Sequence, residues 1–424
     1  MLRAAIALHM VAAMFACAAA AADPLNGASL DEDVKRYDSF GPHRYGSPGA
    51  TRALDWIAEE LAQAGLAVSS QAFTIGRQYD FESGALRVSG RTLSVVPHWW
   101  IPEQAASFRL NAPIATGGDA GGRFVRISLP FDRAAYLTQA HRTALDEAFA
   151  RRPAAVLLTI EHPSGEIYTY NVDQESKPWP VPVILVAPRD KPVLDAAEQA
   201  GQAVEVEITG RYRHEVAGHN VVGRLDRGTG RAIVISTPVT SWFTSTCERG
   251  PGIAGFLAMA RLAKTRLGST DLVFVATAGH EIGHGGMDDF IRKLAPAPSQ
   301  TLAWAHFGAS LACYDWRLDG GRWVAGSALD ARLRVIARSQ SMDEMVRRHF
   351  AAIAGTALVG DKAAVGELRD VHAAGYPNFF GMAGLHGLFH TPVDNAAGTG
   401  PDILVPVAEA FAAALEQIAA ISAR

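Results

Sequence analysis

The chain has 424 residues, 49% of them hydrophobic, with 39 Lys and Arg against 43 Asp and Glu and a formal net charge of −4. That length buries at least one large core and makes two domains the default. The charge balance leaves no basic face for nucleic acid, so electrostatics argue against that partner.

Arg3 precedes the apolar stretch from Ala4 to Phe15, which runs into Ala-rich residues 16–22 and stops at Asp23. A short positive region, a short apolar region and small residues at a cleavage point predict a signal peptide over residues 1–22, hence a periplasmic or extracellular chain. The run is too short for a membrane span, and no other segment approaches the roughly twenty apolar residues that spanning needs. Cys17 offers the alternative of a lipid anchor, against which bulky Phe15 speaks. Without Cys17, Cys247 and Cys313 remain, either as one disulfide or as two buried thiols. No paired base stands near Cys247 in sequence to make it a nucleophile.

Residues 23–75 read as the N-terminal part of the main domain. SLDEDVKRYDSF starts with Ser29 as a plausible N-cap and carries Asp31 and Glu32 in its first turn. GPHRYGSPG is a turn cluster, ATRALDWIAEELAQAGL an amphipathic helix and AVSSQAFTI an alternating strand. From 76 to 213 short alternating segments separated by Gly and Pro predict a β-rich inserted domain. Its aromatic residues, Trp99, Trp100, Tyr168, Tyr170 and Trp179, either face a cleft or fill a core, and core is the commoner fate.

From 214 to 424 strands and helices alternate. HNVVGRLD, RAIVIS, DLVFVATAG and QTLAWAHFGAS read as strands, GPGIAGFLAMARLAKTRL and MDDFIRKLA as helices, and DILVPVAEAFAAALEQIAAI as a closing helix. GRWVAGS and LRVIARS add strands, and DEMVRRHFAAIAG a helix. Such alternation implies an α/β fold with a mostly parallel sheet covered by helices on both faces. Ligands of such sheets collect beyond the carboxyl ends of the strands. Two polar turns fall there, one with Glu248 and one with His280, Glu281 and His284.

HEIGH at 280–284 matches the His-Glu-x-x-His pattern in which two imidazoles share one helical face. Its context is wrong for a helix. Gly279 precedes it and Gly283, Gly285 and Gly286 crowd it, each costing a helix about 1 kcal/mol.

The succession HNVVGRLD, RAIVIS, ERGPGIAGFLAMARLA, DLVFVATAGHEIGHGGMDDF and LFHTPVDN resembles the secreted zinc aminopeptidase and glutamate carboxypeptidase family (metallopeptidase family M twenty-eight). The resemblance is strongest over 214–294 and 385–395. It implies a zinc exopeptidase fold, and members often carry a protease-associated domain where this chain has 76–213. It implies a mechanism in which a carboxylate takes a proton from metal-bound water. Carried onto this chain, the family's first ligand histidine falls on Pro238 and is lost, and the bridging aspartate becomes Glu248. The acid pair becomes His280 and Glu281, the next aspartate has only His306 nearby, and the last ligand is His390. A single zinc on Glu248, Glu281 and His390, with His306 or His280 as fourth group, is the expected site. His280 and Glu281 would move the proton, while Thr240, Ser241, Trp242 and Arg249 would line the pocket of a peptide-like amide substrate. His284 and His386 are further candidates. The alternative is a binding or scaffold protein of the same fold, with Glu248 merely complementing a helix N-terminus and Glu281 an ion-paired loop acid, Arg249 one partner.

Overall fold

A computed structural model describes residues 23–422 apart from 269, 331 and 333, so the expected signal peptide and Cys17 lie outside the described residues. A ten-stranded mixed sheet forms the centre. Its middle is parallel: Ala232–Pro238 lies between Asp271–Thr277 and Thr301–Phe307, and Phe379–Gly384 continues beyond Thr301–Phe307. On one side Ala203–Leu225 and then Ala67–Val88 run antiparallel; on the other Arg334–Arg338 pairs antiparallel with Phe379–Gly384. The expected α/β architecture is present.

The strands are continuous apolar runs because both faces are covered. Alternate residues of Ala232–Pro238 go to different cores: Ile233 and Ile235 pack with Phe256 and Phe411, while Val234 packs with Met287, Phe290 and Trp304. Helix Thr246–Leu262 is buried along its length except at Arg261. It begins about four residues before the sequence pattern suggested, which puts Glu248 and Arg249 inside its first turn. Its N-cap, Ser245, is left-handed and makes no side-chain cap. Asp394 caps it instead, accepting the backbone N–H of Cys247 at 2.9 Å and of Glu248 at 3.1 Å. Likewise Asn26, not Ser29, caps the first helix, Gly27–Asp38.

The expected domain boundaries at 76 and 213 fall inside strands Ala67–Val88 and Ala203–Leu225, which pair from Ala67–Arg224 to Arg87–Glu205. Residues 76–213 are therefore joined to the main sheet by two continuous strands, and they contain a four-stranded sheet. GRWVAGS also departs from the central sheet, forming with Tyr314–Asp319 a separate hairpin. One further expectation is corrected. The closing helix, Pro401–Ser422, does reach the length and hydropathy of a membrane span over Pro401–Ile421. Its Phe411 stacks on Phe307 at 3.9 Å and Leu415 is fully buried, so its apolar face covers the sheet. Cys247 and Cys313 are joined as a disulfide.

Candidate functional site

The four parallel strands deliver their following loops to one edge of the sheet, and the predicted residues come with them. The loop after Ala232–Pro238 leads into the first turn of helix Thr246–Leu262. There Glu248 is fully buried and Arg249 is 1% exposed. Arg249 Nη2 lies 2.8 Å from Glu248 Oε1, and Arg249 Nε donates to the Thr240 carbonyl at 3.1 Å. Ser241 Oγ donates to Glu248 Oε2 at 2.8 Å. His390, in the loop after Phe379–Gly384, turns Nδ1 to the Thr169 carbonyl at 3.0 Å and brings Nε2 to 3.5 Å from Glu248 Oε1. Burial alone would raise the Glu248 carboxyl; Arg249 and His390 outweigh it and hold it far below the carboxylate range.

Glu281 sits on a single 3-10 turn, His280–Ile282, between left-handed Gly279 and Gly283 (φ 76° and 89°), so HEIGH does not form the helix of the zinc-protease pattern. Both Glu281 oxygens are occupied by protein. Oε1 accepts the Tyr45 backbone N–H at 2.8 Å and Oε2 the Thr240 hydroxyl at 2.6 Å. Burial raises its pKa against these hydrogen bonds. Its partner is thus not Arg249. Thr240, Ser241, Trp242 and Arg249, expected to line a substrate pocket, are all buried and held by protein contacts; Trp242 Nε1 donates to Asn171 Oδ1 at 2.8 Å. Trp99, Trp100, Tyr168 and Tyr170 are core.

His280, His284 and His306 form a second group. His280 and His284 stack with centroids 4.5 Å apart. Each Nδ1 is held from behind: His280 by Glu367 at 3.1 Å, His284 by Asp370 at 2.8 Å, His306 by Ser236 at 2.8 Å. Glu367 is fully buried and also accepts the Thr277 hydroxyl at 2.8 and 2.9 Å. Burial, reinforced by Arg249 and His284, lowers the His280 pKa, and burial lowers His306 to about 4, so both rings are neutral at pH 7. These three imidazoles wall a cavity of about 690 Å³ that is otherwise mostly apolar, with Tyr136, Val335, Leu385 and Phe389 among its lining and Arg133 and Arg369 on its exposed side. Glu367, Asp370 and Tyr45 were missed by sequence reasoning. Glu367 and Asp370 flank the start of a six-residue helix, Leu368–Ala373, where acids ordinarily serve the helix dipole, so nothing marked them as partners of histidines.

The residues do not fit the expected zinc as a set. Each Glu281 oxygen already accepts one hydrogen bond from the protein, and His306 faces the cavity with Nδ1 tied to Ser236, away from Glu248 and His390. Among the described residues the only trio of ligand atoms lying within 4.8 Å of one another is Cys247, Cys313 and His386. The guanidinium already supplies the cation at Glu248. A dication about 4 Å from it would meet about 8 kcal/mol of repulsion at an effective dielectric of about 20.

No family model and no curated protein matches the sequence. Among solved structures the chain is similar to a zinc aminopeptidase from Bacillus subtilis, with a TM-score of 0.70 and 17% identity over 93% of this chain and 95% of that one. It is similar also to a family M twenty-eight peptidase precursor from Shewanella amazonensis, with a TM-score of 0.66 and 15% identity over 92% and 95%. An aminopeptidase from Aneurinibacillus sp. strain AM-1 superposes with a TM-score of 0.59 and 15% identity over 91% and 93%. At such identities the likeness shows the fold alone. The chain has the zinc exopeptidase fold, and a fold does not by itself fix the chemistry of its site.

Proposed function

We propose that this exported chain is a binding protein built on the zinc-aminopeptidase fold, which takes up an apolar, peptide-like molecule without zinc-assisted hydrolysis. The observation that carries this is the buried Glu248–Arg249 pair: a fixed guanidinium stands among the acids that a metal would need. Binding falls to the neighbouring cavity. Its apolar wall supplies burial, and its three tethered imidazoles supply oriented polar contacts, the usual division of labour in a small-molecule site. With Nδ1 held by Glu367 and Asp370, His280 and His284 are left with Nε2 for the ligand.

The competing reading, a single-zinc amide hydrolase, is favoured by one observation. Glu248 Oε1, ion-paired with Arg249 but without an aligned hydrogen bond, lies 3.5 Å from His390 Nε2, which is buried without a hydrogen-bond partner. Metal analysis of the purified, oxidised chain after zinc loading, beside an assay on aminoacyl anilides, separates the two. Our reading expects less than about a tenth of a zinc per chain and no turnover above the blank. One zinc per chain, lost together with turnover in Glu248→Ala and His390→Ala, would overturn it.

A further inference from the structure

The residues beneath the Glu248 corner carry a separate inference, independent of the reading above. Cys247 is the second residue of helix Thr246–Leu262, Cys313 follows strand Thr301–Phe307, and His386 follows strand Phe379–Gly384. All three are buried, at 0%, 1% and 5% exposure. One sulfur from each cysteine and one ring nitrogen of His386 lie within 4.8 Å of one another. Ser310 Oγ orients the ring through Nδ1 at 3.0 Å. The other nitrogen, Nε2, is buried without a hydrogen-bond partner, 3.5 Å from Asp394 Oδ2. Asp394 is itself fixed by the Cys247 and Glu248 backbone N–H groups. In the oxidised chain the sulfurs are bonded to each other, and the triangle has no use as a ligand set.

We propose that reduction of the Cys247–Cys313 disulfide creates a zinc(II) site, held by the two thiolates and His386 Nε2, with the Asp394 carboxylate beside them as the fourth donor. Two sulfurs, one nitrogen and one oxygen are a donor set that zinc accepts in tetrahedral geometry. The helix N-terminus at Cys247 favours the thiolate form. Ser310 supplies the outer contact that orients the His386 ring. The reductant is an external dithiol. It becomes a disulfide as the Cys247–Cys313 bond breaks, and its two electrons and two protons leave two thiols on this chain. Zinc then displaces both thiol protons. The ion would tie together the same helix start and loop that the disulfide joins.

The test uses the whole chain, reduced with dithiothreitol, desalted without oxygen and titrated with cobalt(II) and then zinc(II). We expect no metal uptake at this corner in the oxidised chain. The reduced chain should bind one cobalt(II) with a thiolate charge-transfer band that zinc(II) abolishes. His386→Ala should weaken zinc(II) at least tenfold, and Cys313→Ser should reduce the band. Zinc(II) should raise the melting temperature of the reduced chain and leave the oxidised chain unchanged. That last readout also decides the case if reduction loosens the fold, since a reduced chain that zinc(II) fails to restore overturns the proposal. So does cobalt(II) binding without a thiolate band, or zinc(II) affinity untouched by His386→Ala. Metal held by the oxidised chain through Glu248 and His390 would instead refute the binding-protein reading and leave this one standing.

Discussion

Two polar groups lie at the ends of the same parallel strands, and burial has treated them in opposite ways. At the Glu248 corner charge meets charge: carboxylate, guanidinium and imidazole crowd together with almost no exposure. At the His280–His284–His306 wall burial keeps His280 and His306 neutral, and all three rings face open volume. The comparison teaches that burial at one sheet edge can hold one polar cluster as paired ions and its neighbour as neutral rings. The corner holds Glu248 and His390 of the predicted metal residues, fully packed; the wall has open volume and holds His306 with His280 and His284, which the sequence pattern ranked lower.

The largest expected effect breaks the corner. Arg249→Ala leaves Glu248 buried without its cation and should cost about 3–5 kcal/mol in urea unfolding at pH 7. Because the folded Glu248 pKa is depressed, its contribution is present above the ordinary carboxylate pKa and lost as pH falls below it, so the gap between variant and wild type should narrow in acid. A variant as stable as wild type at pH 7 would undo the idea that charge pairing holds this corner.

The wall responds to pH for the opposite reason. The folded chain refuses His306 a proton between pH 6.5 and about 4, while the unfolded chain accepts it. The contribution is therefore present above 6.5 and lost as pH falls toward 4, by roughly 3 kcal/mol. His306→Gln should flatten that part of the stability profile; an unchanged slope would mean that the ring stays hydrated in the folded chain.

A smaller effect concerns the cavity. Ala309→Trp should occupy part of it and weaken binding of the dye 1-anilinonaphthalene-8-sulfonate about tenfold, or about 1.4 kcal/mol. Equal dye binding by both chains would mean that the dye, and by extension an apolar ligand, sits elsewhere.

The smallest effect sharpens the contrast between the two acids. Glu281→Gln keeps an acceptor for the Tyr45 N–H and should change stability by under about 1 kcal/mol at neutral pH. The folded Glu281 pKa is raised, so its contribution is present below the ordinary carboxylate pKa and lost as pH rises through the folded value. The glutamine variant should gain on wild type over that rise. A large loss of stability, accompanied by loss of bound metal, would return Glu281 to the ligand set.

Much of the fold was legible in the residues. The apolar runs at Ala232–Pro238, Asp271–Thr277 and Thr301–Phe307 declared buried parallel strands because a strand covered on both faces has no polar position to alternate with. The glycines around HEIGH declared a turn, since left-handed backbone at 279 and 283 suits no other residue as well. Strand Phe379–Gly384 and helix Leu368–Ala373 were not read. Both are short, and the helix gains its place from packing against the sheet rather than from any periodic stripe of its own.

By itself the sequence determined which segments would be buried strands and which polar turns would follow them, because apolar runs and loop polarity are local properties. Only the tertiary structure decided what those loops do there. Whether Glu248 faces a cation of its own chain, whether Tyr45 from 236 positions away takes the Glu281 oxygen, and whether Glu367 stands behind His280 are matters of a few ångströms between distant segments. At short range a buried charge takes whichever partner the packing brings within reach, and no spacing along the chain encodes that choice.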